Sequence, residues 1–131
     1  MKRILFAFTL ILLTAGVASA QQNEAVIAVI DSAVYDFGTF NETDGPVTHT
    51  FKIKNEGEIA LVVTKVVASC GCTTPDWTKE PIASGKTGEI TVTYNPVGRP
   101  GAFTKTISVY SNGKTGSFIL TIKGDVVPKN Q

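Results

Sequence analysis

The chain is poor in the residues that carry most protein chemistry: among 131 residues there are two cysteines, one histidine, one tryptophan and one methionine. Each scarcity excludes something. A closed structural zinc site wants four Cys or His ligands, and Cys70, Cys72 and His49 make only three. Cysteine catalysis wants a base, and the single imidazole lies in an alternating stretch, outside any recognisable nucleophile motif. Neither sign of charge is in excess, with 12 Lys and Arg against 11 Asp and Glu, and no cluster of basic residues stands out. Nucleic acid and anionic membranes are therefore poor partners for it. The carboxylates Asp76, Glu80 and Glu89 could form pairs, but the pattern around them places them on loops and strand ends. The Gly-rich stretch "VGRPG", Val97 to Gly101, is interrupted by Pro100 and runs into a strand pattern. A phosphate cradle needs a helix behind it, so a hairpin turn is the better reading. No metal, cofactor or enzymatic activity is expected.

Only one long apolar run is present, and it stands at the start. Lys2 and Arg3 precede the apolar stretch Ile4–Leu13, and Ala18-Ser19-Ala20 is a small-residue cleavage site. Thr14, Gly16 and Ser19 weaken the run before it reaches the ~20 apolar residues of a membrane span. The expectation is a cleaved signal peptide over residues 1–20 and a single domain over 21–131. Gln21 stands where a lipoprotein would need cysteine, so no stable membrane anchor is expected. Cleavage removes two basic residues, leaving 10 against 11 acidic ones. The mature chain should be exported, periplasmic or secreted, where disulfides persist. About 110 residues fit one modest core and leave no room for a second domain.

Beyond the leader the apolar residues recur every second position. "VTHTFKIKN" places Val47, His49, Phe51 and Ile53 on one face. "GEITVTYN" does the same with Ile90, Val92 and Tyr94, and "SFILTIKGDV" with Phe118, Leu120 and Ile122. In "FTKTISVYS", Lys105 shares a face with Ile107 and Val109, so one end of that strand should reach solvent. "IALVVTKVVAS" is apolar on both faces apart from Lys65, which suggests a central strand or one crossing between sheets. "VIAVI" and "AVYDFGTF" supply one or two shorter strands. Turn residues punctuate these segments, among them Asn112-Gly113 as a hairpin signal. Asn55, Gly57, Gly71, Gly98 and Gly101 are read as backbone devices, placed where tight turns need φ above zero or a donor side chain.

About seven short antiparallel strands in this length describe an all-β, immunoglobulin-like sandwich. Its two cysteines are neighbours, so the inter-sheet disulfide of antibody domains is absent and the apolar core must hold the sheets together.

"YDFGTF", "FKIKNEGEIALVV", "ASCGCTTPDW", "KEPIASGKTGEITVTYNPVGRPGAFTKTISVYSN" and "IKGDV" resemble the bacterial family DUF1573 over nearly all of the mature chain. The most specific part is the Ser-Cys-Gly-Cys-Thr core, followed by the Pro-Ile-x-x-Gly turn and the Asn-Pro-x-Gly-Arg-Pro-Gly stretch. The resemblance implies an immunoglobulin-like sandwich related to Hydin-type and pilus-chaperone-like domains. It implies no established activity.

The chemistry concentrates in "SCGCTTPDW". In a fully extended strand Cys70 and Cys72 would stand about 6.5–7 Å apart at Cα, the upper edge for a disulfide, and Gly71 can bend the chain to shorten that. Several readings stay open: a bridge that rigidifies the loop, a strained and exposed bridge open to redox exchange, a Cu(I) ligand pair, or inert thiols. Trp77 is expected to plug one end of the sandwich under this loop, or else to be an exposed contact for a partner. Arg99 is expected at a solvated hairpin tip, where it too could belong to a binding surface. The functional expectation is an exported, non-enzymatic protein-binding or structural module of the bacterial envelope, its partner an unknown envelope or surface protein, with a thiol redox or Cu(I)-binding module using the Cys-Gly-Cys loop as the alternative.

Overall fold

The computed structural model describes residues 23–129, so the leader expected over residues 1–20 lies outside the described residues. Eight strands are present among the described residues: β1 Ile27–Val29, β2 Val34–Asn41, β3 Val47–Asn55, β4 Val63–Ala68, β5 Thr73–Trp77, β6 Thr87–Tyr94, β7 Gly101–Ser111 and β8 Ser117–Val127. They form two four-stranded sheets, ordered β1-β3-β6-β5 and β2-β8-β7-β4. The expected immunoglobulin-like sandwich is the fold. Two details differ from the expectation of about seven antiparallel strands: there are eight, and β2 runs parallel to β8. Period-two patterning reports which face of a strand is buried and is blind to strand direction.

The alternating strands bury the predicted faces. Phe51 and Ile53 of β3, Ile90, Val92 and Tyr94 of β6, Ile107 and Val109 of β7, and Leu120 and Ile122 of β8 are all buried between the sheets. Each such side chain contributes roughly 1.5–3 kcal/mol by leaving water. Tyr94 stacks on Phe103 across the two sheets, ring centroids 3.9 Å apart. Lys105 stays half-buried in the inward row of β7. The neighbouring β4 ends at Ala68, opposite Ile107, so Lys105 lies beyond its cover.

The two-faced apolar run resolves into a crossing. Leu61 exchanges main-chain hydrogen bonds with Ile82, on the connection between β5 and β6, at 2.8 Å each way. Two residues on, β4 has joined the other sheet, as an edge strand and not a central one. A β-bulge between Val63 and Lys65 shifts the phase, so that Val63 and Val66, three residues apart, are both buried. This extra residue is why the run does not alternate.

Candidate functional site

The topology leaves the sandwich two sides. On one, β4 and β5 are the edges of the two sheets, and residues 69–72 are the corner that carries the chain from one sheet to the other. On the other, β1 and β2 are the edges. The chemistry-bearing residues divide between these sides.

At the corner, Thr73 N–H donates to the Cys70 carbonyl at 3.3 Å, which folds the four residues into a tight turn. The Cys70 and Cys72 sulfurs meet as a disulfide with their Cα atoms 5.3 Å apart. That separation lies well inside the usual range of about 4.4–6.8 Å, which corrects the expectation of a strained bridge: the turn, absent from an extended strand, brings the backbones together. The bridge is also less exposed than expected, since Cys72 is buried and Cys70 half-buried. Gly71 has no positive φ and nothing crowds its Cα, so it is not the left-handed device it was read as. Sequence reading missed Thr73, a buried hydroxyl whose Oγ1 lies 3.7 Å from both sulfurs.

The corner is also held without sulfur. Ser69 N–H donates to the Thr106 carbonyl of one sheet, and Asn95 N–H to the Cys72 carbonyl from the other, each at 2.9 Å. Mild reduction is therefore expected to release two titratable thiols while the β-sheet circular dichroism stays native. The melting point should fall by no more than about 6–13 °C, because so small a loop contributes about 1.6 kcal/mol by chain-entropy arithmetic at about 4–8 °C per kcal/mol. A cooperative loss of sheet on reduction would show instead that the bridge holds the core.

Trp77 ends β5 and is half-buried. Its indole Nε1 donates to the Val63 carbonyl of β4 at 3.3 Å, so it closes the gap between the two edge strands on this side. Lys79 Nζ sits 2.9 Å from the centre of the indole ring, a cation–π contact, and 3.5 Å from Asp76 Oδ1. Asp76, Glu80 and Glu89 are exposed. Arg99 lies in the connection that carries the chain from β6 of one sheet to β7 of the other, which corrects the expectation of a hairpin there, since β6 and β7 do not pair. Its guanidinium donates to the carbonyls of Asn95 and Val97 at 3.4 and 3.2 Å. Gly98 and Gly101 flank it at φ 72° and 98°, the left-handed conformations expected of them. The structure thus brings Cys70, Cys72 and Trp77 to the β4–β5 side, and ties Arg99 to the corner through Asn95, whose carbonyl accepts from the guanidinium and whose N–H donates to the Cys72 carbonyl.

His49 belongs to the opposite side. Its ring stacks on Tyr35 of β2 at 3.6 Å between centroids and meets Phe51 edge-on at 4.6 Å. Burial holds its pKa below the usual histidine value, partly offset by the Asp31 carboxylate. Through these ring contacts the imidazole bridges the two sheets on the side away from the cysteines, and no cluster of three or more metal-ligating residues occurs among the described residues.

The main chain beside His49 is the feature that sequence reading did not anticipate. β1 pairs only with Ile53–Asn55 of β3, and Ile30 N–H then donates to the Lys52 carbonyl at 2.9 Å. Main-chain groups alternate sides along a strand, so Thr50 and Thr48 point theirs the same way as Lys52, away from β6. Among the described residues no strand lies along that side of Val47–Phe51. The other edges carry features that discourage pairing. β2 has a bulge between Asp36 and Thr39 containing Gly38 at φ 70°. β4 has its bulge and Lys65, β5 has Pro75 and Asp76, and β1 is three residues long. Val47–Phe51 contains no proline, bulge or formal charge.

The sequence profile described as "Protein of unknown function (DUF1573)" matches residues 28–126. The chain belongs to the DUF1573 family. For this DUF1573 chain no curated protein matches in sequence. Solved structures match its fold. A Porphyromonas gingivalis W83 protein of unknown function superposes with TM-score 0.69 at 18% identity, over 82% of this chain and 50% of that one. The seventh ASH / PapD-like domain of human CEP192 gives 0.62 at 7% identity, over 98% of this chain and 100% of that domain. The Vibrio cholerae VesB protease gives 0.57 at 17% identity, over 79% of this chain and 32% of that protein. The DUF1573 chain thus spans half of the Porphyromonas protein and a third of the protease, and at these identities the likeness is one of fold alone.

Proposed function

We propose that this chain is an exported, non-enzymatic protein-binding domain that accepts an extended segment of an envelope or surface protein along the free edge of β3. The observation that carries the reading is the uncovered stretch Val47–Phe51, uncharged and unbroken while the other edges are short, bulged or interrupted by proline. Strand addition draws its affinity from main-chain hydrogen bonds of this kind. Export rests on the leader: the mature protein from its native host should begin at Gln21, and recovery of an intact Met1 terminus in the membrane would overturn that part.

The binding test uses Thr50→Pro. Its N–H faces the open side, so proline there removes a donor offered to a partner while sparing the ladder to β6. Within the fold it costs the hydroxyl contact with Thr91. Capture of partner from the host's own envelope fraction should fall at least tenfold, while circular dichroism stays native; Thr48→Pro serves as a second variant if the first misfolds. Undiminished capture by both would sink the reading. Cys70→Ser with Cys72→Ser separates the thiol alternative: a binding domain keeps its partner in that variant, whereas a redox or Cu(I) module loses its activity.

A further inference from the structure

Beside the free edge lies a cleft of about 210 Å³. That is below the roughly 300–1,000 Å³ of small-molecule sites and is on the scale of one large side chain. Val29, Val34, Tyr35, His49 and Phe51 line it, with Asp31 and Lys52 supplying one charge of each sign. Around it apolar surface is left in water: Val34 is 48% exposed, Ile30 38% and Tyr35 37%. Scattered exposed apolar residues need no explanation, but a group of them flanking an unpaired strand edge marks an interaction surface.

The register of β3 connects edge and cleft. The main-chain groups of Thr48 and Thr50 face the open side, so an added antiparallel strand would make its hydrogen-bonded pairs with these two residues. Its residue opposite His49 would then fall in a non-hydrogen-bonded pair, where side chains approach most closely. Residues directly opposite one another project to the same face. The side chains of His49 and Phe51 point between the sheets, so the partner residue opposite His49 would point there too, toward the Tyr35 ring.

We propose that this cleft is a specificity pocket for one large apolar or aromatic side chain, carried by the central residue of an uncharged extended segment added to β3. The inference rests on the strand-addition reading and goes beyond it by naming the partner's chemistry. A charged central residue is disfavoured, because it would lose its water in a mixed cleft, where Ser32 and Thr50 lie beside the apolar side chains and the two formal charges, Asp31 and Lys52, already offset each other.

The test uses blocked peptides Thr-Val-Thr-Xaa-Thr-Val-Thr titrated into the mature isotope-labelled protein, with Xaa as Phe, Leu, Ala or Asp, followed by amide chemical shifts. Phe and Leu should bind about tenfold or more tighter than Ala, from the area they bury, and Asp more weakly still. The Thr48 and Thr50 amides should shift with every peptide that binds, and the Tyr35 and Val34 amides only with the large side chains. Val34→Asp, a change at an exposed position, and Tyr35→Ala should each abolish the preference for Phe over Ala, read as the ratio of the two affinities within each variant. Equal affinity for all four peptides, with Thr48 and Thr50 still shifting, would overturn the pocket and leave strand addition standing. Peptides that move Tyr35 without moving Thr48 and Thr50, or no binding by any of them, would overturn both.

Discussion

Asn55→Ala is expected to destabilise the fold by about 3 kcal/mol, since each buried polar group left without a partner costs roughly 1–3 kcal/mol. Asn55 is fully buried at the end of β3. Its side-chain NH2 donates to the carbonyls of Ile59 and Ile82 at 2.7 and 2.9 Å, and its Oδ1 accepts from Gly57 N–H at 2.9 Å and Val26 N–H at 3.4 Å. One amide thus ties together the β3–β4 turn, the β5–β6 connection and the segment entering β1. Alanine would strand the buried Gly57 N–H and leave a small void. The melting point should fall by about 12–20 °C, taking 4–8 °C per kcal/mol for a domain of this size and the lower part of that range. Asn55→Asp is expected to do no better: it keeps the acceptor for Gly57 but turns a second oxygen toward two carbonyls. Urea unfolding with an unchanged slope would check the magnitude, and a loss under about 1 kcal/mol would contradict the role of these hydrogen bonds.

Gly57→Ala is expected to cost a comparable amount, about 2–4 kcal/mol, by overpacking. A Cβ at Gly57 would collide with the Glu24 carbonyl and stand 2.5 Å from Val26 N and 2.8 Å from the Ala25 carbonyl carbon. These are backbone atoms and cannot rotate away. The approach is that close because the chain entering β1 lies directly on the turn: Glu56 and Glu58 N–H donate to the Val26 and Glu24 carbonyls at 2.7 and 2.8 Å, and Lys114 N–H to the Ala25 carbonyl at 2.9 Å. The glycine is required by proximity, for its φ is not positive. In the variant the segment 24–26 should detach, and hydrogen exchange at the Glu56 and Glu58 amides should accelerate more than exchange in β6 or β7. Uniform acceleration across all strands would mean that the collision is relieved some other way. Because Asn55 and Gly57 secure the same segment, their costs should not add in the double variant.

These two residues show how far turn chemistry can be read from a linear string. "NEGE" is recognisable as a turn with a donor side chain and a glycine, because Asn and Gly have few other uses between two alternating runs. That the amide reaches Ile82, 27 residues on, and that the glycine lies under residues 24–26, depends on which segments the fold brings together. Asn112 makes the same point. It reads as a hairpin residue, yet its amide group accepts from Val62 N–H at 2.8 Å and donates to the Ala60 carbonyl at 3.0 Å, holding the chain as it enters β4.

The sequence by itself determined that the chain is a β-sandwich and which face of β3, β6, β7 and β8 is buried, because a side chain's face in a strand depends only on whether its position is odd or even. It also placed both cysteines in one short turn, where their spacing allowed a local bridge and forbade an inter-sheet one. Tertiary structure alone decided the partners: that β2 lies parallel to β8, that residues 69–72 join the two sheets, that Trp77 closes the β4–β5 side, and that His49 faces Tyr35 away from the cysteines. It alone left that side of Val47–Phe51 without a neighbouring strand among the described residues, since whether a strand's main-chain groups are met depends on where another segment ends. The alternation of β3 is the same with a full-length neighbour or with a β1 that stops after three residues.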